Sequence, residues 1–65
     1  MKLIMKTEFE NLRENDKHCY DTDSNSDKQV VKIYCDELLI AKKIKLTKSV
    51  RYFGINNYQS YLTPE

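Results

Sequence analysis

The sequence predicts an α+β domain in which a short N-terminal helix packs on an antiparallel sheet of three to five strands. Three observations lead there. Residues 30–35, Val-Val-Lys-Ile-Tyr-Cys, concentrate β-branched and aromatic side chains with apolar residues at alternate positions. Thr7, followed three residues later by Glu10, has the pattern of a capping box, in which a hydroxyl and a carboxylate each accept from an orphan backbone N–H. The chain of 65 residues is long enough for one domain, 1–65, with one small core.

In chain order, residues 2–6 suit a short strand with Leu3 and Met5 on one face. Good helix formers follow the capping box through Lys17, with Phe9, Leu12 and Cys19 near one face of the helix. Residues 21–27, Asp-Thr-Asp-Ser-Asn-Ser-Asp, are all turn formers or competitors for their own backbone hydrogen bonds. They read as a polar loop dividing an acidic N-terminal part from a basic, β-rich part. Beyond it, Val31, Ile33 and Cys35 face one way in a strand, and Val30 and Tyr34 the other. Asp36 and Glu37 suit a turn. Leu38, Ile40, Ile44 and Leu46 fall on one face of a second strand, interrupted by Lys42. Residues 50–55 and 58–63 read as two further short strands about Asn56 and Asn57, since Asn tolerates positive φ. The competing reading makes residues 38–53 helical. Asp36 is a good N-cap and residues 37–45 contain strong helix formers, which would give a strand followed by a helix-turn-helix-like pair.

Charge is unevenly placed. Residues 1–27 carry four basic and seven acidic side chains, residues 28–53 carry seven basic and two acidic, and Glu65 completes a net charge of +1. The basic segment favours an anionic partner, although the total is far from that of a dedicated nucleic-acid binder. Between Lys2 and Lys6 stand only three apolar residues, too few for the apolar stretch of a signal peptide. The expected location is therefore cytoplasmic, with Cys19 and Cys35 as free thiols and no membrane partner. A core this small also favours self-association, so a homodimer is an expectation. Lys, Asn, Ile and Tyr, all encoded by AT-rich codons, make up 24 residues, which points to a phage or mobile element as the source.

The arrangements that carry chemistry are incomplete. Asp21, Asp23, Asn25 and Asp27 alternate like the start of a calcium loop, but Ser26, Lys28 and Lys32 stand where that loop needs Gly, an apolar residue and a bidentate Glu. His18, Cys19 and Cys35 fall short of a tetrahedral zinc set, and His18 lacks an identifiable orienting partner for nucleophilic catalysis. Gly54 is the only glycine, so there is no Gly-rich phosphate loop. The expectation is a non-enzyme without metal or cofactor.

Two stretches resemble nucleic-acid readers. Residues 40–53 resemble a helix-turn-helix, with Ala41 at the helix crossing and residues 47–49 opening a recognition helix; Lys45 and Val50 depart from that pattern. Arg51, Phe53, Gly54 and Tyr58 resemble the aromatic strand of RNA-recognition sheets, while Tyr52, Ile55 and Asn56 do not fit. Both imply a DNA- or RNA-binding regulator using Lys42, Lys43, Lys45, Lys48 and Arg51. The aromatic content supports a different reading. Tyr offers large contact area at low entropic cost, and Tyr52, Phe53, Tyr58 and Tyr61 are the candidate protein-binding residues. The leading expectation is a small non-catalytic protein-binding module that inhibits a host protein or complex. Anti-CRISPR inhibitors illustrate that class by analogy only.

Overall fold

The computed structural model describes residues 1–63. It contains strand β1 (Lys2–Leu3), helix α1 (Lys6–Glu14), strands β2 (Cys19–Ser24), β3 (Lys28–Cys35), β4 (Leu38–Leu46) and β5 (Val50–Gly54), and a 3-10 turn at Tyr58–Tyr61. The strands form one antiparallel sheet in the order β1-β5-β4-β3-β2. Strands β2 to β5 are a meander of three hairpins. Strand β1 pairs outside β5, so α1 must carry the chain from one edge of the sheet to the other. That crossing lays the helix over one face, and the fold is the predicted helix on an antiparallel sheet.

Phe9 and Leu12, one helical turn apart, point from α1 into the sheet. They meet Val31 and Ile33 of β3, Ile40 and Ala41 of β4, and Tyr58. Leu12, Ile33 and Ile40 are completely buried. Tyr52 adds a ring against Phe9, with centroids 5.3 Å apart. The helix is capped differently from the sequence expectation. Its N-cap is Met5, and Glu8 reaches back to accept from the Met5 N–H at 3.0 Å. Thr7 and Glu10 therefore lie inside the helix and form no box. The helix also ends at Glu14 rather than Lys17. The Asn15 side chain accepts from the Lys17 N–H at 2.9 Å, and His18 Nδ1 lies 2.8 Å from the otherwise orphan carbonyl of Leu12. Cys19 thus begins a strand and not a helical turn.

Residues 21–24 belong to strand β2, and only residues 25–27 form a turn. A polar, turn-forming sequence becomes a strand here because β2 is an edge. Its side chains remain in water while β3 supplies the hydrogen-bonding partner. Asn25 Oδ1 closes the turn by accepting from the N–H groups of Asp27 and Lys28, each at 3.0 Å. Along this extended strand Asp21 and Asp23 are about 7 Å apart, so their oxygens do not converge as a calcium loop requires.

Residues 38–46 form β4, which excludes the helix-turn-helix alternative. The turn before it has positive φ at both central residues, 50° for Asp36 and 69° for Glu37, the backbone of a two-residue hairpin. Ile33 pairs with Ala41 and Tyr34 with Leu39, leaving Ile40 as an extra, bulged residue. The bulge places Ile40 and Ala41 together in the core and lets the Ile40 carbonyl accept from the Ile55 N–H at 3.0 Å. It also resets the alternation. Leu38 and Ile40 lie on the helix side, while Lys42, Ile44 and Leu46 lie on the other, contrary to the single face expected for those apolar residues.

The C-terminal segment forms no strand at 58–63. Tyr58 opens a 3-10 turn that drops its ring into the core, where 6% of the residue remains exposed. Its hydroxyl donates to Glu8 Oε2 at 2.6 Å. Thr63 and Asn11 exchange two hydrogen bonds, at 3.0 and 2.7 Å, which fasten the chain end to α1. Cys19 and Cys35 are both free and project from opposite faces of adjacent strands, a geometry that does not permit a bridge. No helix among the described residues is long and apolar enough to cross a membrane.

Candidate protein-binding face

A strand's side chains alternate between faces, so the pairing register defines each face of the sheet. The covered face carries Val31, Ile33, Tyr52 and Gly54 beneath α1 and the 3-10 turn. The residues between them form the open face. Three rows cross it. The first is Asp23, Val30, Ile44 and Arg51; the second is Asp21, Lys32, Lys42, Phe53 and Leu3; the third is Cys19, Tyr34 and Leu39. Leu46 and Lys28, paired at the distal end, extend it.

Among the described residues, no element lies over these rows. Val30, Tyr34, Leu39, Ile44 and Phe53 are half-buried by one another, and Leu3 and Leu46 are 61% and 44% exposed. The result is two apolar bands, Val30 with Ile44 and Tyr34 with Leu39, separated by a charged row. Acid lies along the β2 edge at Asp21 and Asp23, and cations lie at Lys28, Lys32, Lys42 and Arg51. The Lys42 ammonium stands 5.8 Å from the centre of the Phe53 ring.

No protein family matches this chain, nor does any curated protein or solved structure. The site must therefore be read from its own chemistry. Of the four aromatic candidates, only Phe53 lies on the open face. Tyr52 packs on Phe9, Tyr58 is core, and Tyr61 is half-buried with its ring centre 6.2 Å from that of His18. The basic candidates divide as well. Lys42 and Arg51 are on the open face, Lys43 and Lys45 on the covered face beyond the helix, and Lys48 in the β4–β5 turn. One basic segment in sequence is thus split across two sides of a sheet. The structure brings together Phe53, Lys42 and Arg51 and adds Val30, Lys32, Tyr34, Leu39 and Ile44. Their signal in the sequence was alternation, because residues 30–35 carry apolar side chains on both phases.

Glu8 of α1 and Tyr58 of the 3-10 turn meet on the covered side of the sheet. Hydrogen bonds from the Tyr58 hydroxyl and the Met5 N–H, with the Lys2 charge, hold the Glu8 carboxyl below the usual glutamate range. The same bond to Glu8, with burial, raises the Tyr58 phenol. Both serve to join the 3-10 turn to the helix. Among the described residues, no three His, Cys, Asp or Glu side chains are grouped to hold a metal ion.

Proposed function

We propose that this protein is a non-catalytic binding module that engages another protein through the open face of its sheet. One observation carries the reading: among the described residues the sheet is covered on one side only, and the other side gathers Val30 with Ile44 and Tyr34 with Leu39 into two apolar bands, with Phe53 and Leu46 beside them and charge between and around them. Such a composition suits an interface, with apolar bands, aromatic anchors and charged side chains between and around them. Cytoplasmic inhibition of a host protein or complex by a product of a phage or mobile element is the setting we favour. The composition supports the source, and occlusion of a host machine needs a complementary surface rather than a reacting group.

Immobilised wild-type protein should retain a specific protein from extract of its native host. Ile44→Asp should lose that protein, and Lys43→Ala, on the opposite face, should keep it. Equal retention by all three would remove the reading.

The open face also favours a second reading in one respect, because Lys42, Arg51 and Phe53 share it with Lys32. Cations beside an aromatic ring could hold a single-stranded nucleic acid by phosphate contact and stacking. Retention of an oligonucleotide at low salt, falling steeply as salt rises, would support a regulator of that kind. Asp21 and Asp23 on the same face oppose it.

A further inference from the structure

We infer that the occupant of the open face is an acidic protein segment whose carboxylates are flanked on both sides by apolar side chains. This rests on the binding role proposed above and specifies the partner. The argument starts from the middle row. Lys32 and Lys42 stand directly opposite each other on neighbouring strands, where like charges repel. Asp21 neighbours Lys32 on its far side, whereas Lys42 has Phe53 there. The centre of the face is therefore positive, with apolar bands about 7 Å to either side, two residues along β3 in each direction. A matching segment places a carboxylate over Lys32 and Lys42 and apolar side chains over Val30 with Ile44 and over Tyr34 with Leu39. Arg51 and Lys28 add positive charge beyond the first band.

A second copy of the chain fits poorly. Stacking the face on itself about an axis parallel to the strands and between β3 and β4 brings the Lys32 and Lys42 pair onto the same pair of the other copy. An axis across the strands lays β2 on β2 and sets Asp21 and Asp23 against themselves. Both centred arrangements bury like charges, which favours an acidic partner over a second copy as the occupant of this face. Nucleic acid fits less well than an acidic protein. The bands are mainly aliphatic, and only Tyr34 and Phe53 offer rings for stacking.

The test is selection of a displayed library of random peptides on the full chain. The bound pool should be enriched in Asp and Glu beside apolar residues, and Ile44→Asp should lose it. Lys32→Glu combined with Lys42→Glu should weaken the selected peptides by about tenfold or more, through like-charge repulsion. All variants should melt as wild type does; Ile44→Thr replaces Ile44→Asp if the latter does not. A neutral or basic pool, or no enrichment, overturns the inference. So does a wild-type dimer in sedimentation that Ile44→Asp disperses, or tighter binding of a random single-stranded oligonucleotide at near-physiological salt. A pool that needs Ile44 but ignores the charge reversal leaves the binding face standing and removes its acidic partner. A pool indifferent to Ile44→Asp removes both.

Discussion

Tyr58 donates its phenolic hydrogen to Glu8 Oε2 across 2.6 Å, while Oε1 of the same carboxylate accepts from the Met5 N–H at 3.0 Å. One carboxylate thus caps the helix and anchors the 3-10 turn that fills the core. Residues 50 positions apart become a single structural joint.

That joint makes stability depend on pH at both ends. The folded Glu8 carboxyl titrates below its unfolded range, so its contribution is complete at neutral pH and is lost as pH falls below about 4. The folded Tyr58 phenol titrates above its unfolded range, so its contribution is lost as pH rises beyond about 10. Thermal melts should show a plateau between these limits. Tyr58→Phe should lower the plateau, remove most of the alkaline decline attributable to this residue and soften the acid one. An unchanged alkaline limb in Tyr58→Phe would show that other tyrosines dominate.

Ile33 has no exposed surface and lies at the centre of the covered face. Truncation to Ala should cost about 2–5 kcal/mol, by lost transfer energy and the cavity left behind. A chain of this length is expected to hold about 3–10 kcal/mol in total. Ile33→Ala should therefore lose a large share of the total stability, whereas Ile33→Val should lose about 1 kcal/mol. Urea titration followed by circular dichroism distinguishes the two, and a cooperative, near-wild-type transition in Ile33→Ala would count against the assigned core.

Glu37 sits at φ 69° in the β3–β4 turn. A left-handed backbone costs an L residue about 1–2 kcal/mol, and Gly returns part of that as unfolded-state entropy. Glu37→Gly should stabilise the protein by about 0.5–1 kcal/mol. The readout is a higher urea midpoint at unchanged slope. A lower midpoint would mean that the Glu37 side chain contributes a contact worth more than the strain.

Gly54 is buried with an ordinary φ, so its requirement is space and not backbone freedom. A Cβ there would lie 3.1 Å from Ile4 Cγ2 and 3.1 Å from both Cβ and Cγ of Tyr58. Tyr58 is held by Glu8 and cannot retreat without straining the joint. Gly54→Ala should cost about 1–3 kcal/mol by overpacking, although alanine is normally the better strand residue. Stabilisation by this change would show that the 3-10 turn yields easily.

Much of the fold was legible because periodicity is a local property. The alternation at residues 30–35 located β3 and divided its side chains correctly between Val31 with Ile33 inside and Val30 with Tyr34 outside. The β-branched and aliphatic run at 38–46 has the composition of a strand, and it is one. Phe9 and Leu12 were placed on the buried face of a helix. Other features depended on neighbours. The polar sequence of β2 becomes a strand only because β3 offers it an edge. The 3-10 turn replaces a strand because Tyr58 has a cavity and a carboxylate to reach. The candidate site was legible at Phe53, Lys42 and Arg51, while Val30 carried no mark beyond an outward phase and the spacing of Ile44 grouped it on one face with Leu38 and Ile40, from which the bulge separates it.

Sequence alone determined the α+β class, the positions of the principal strands and the helix, and the split between acidic and basic parts. These follow from side-chain type and spacing within a few residues. The tertiary structure decided which residues share a face. The single bulged residue Ile40 shifts the phase of β4, burying Ala41 and turning Ile44 and Leu46 outward. A period of two has no tolerance for an extra residue, and whether one is inserted depends on how a strand pairs with its partners, not on its own sequence.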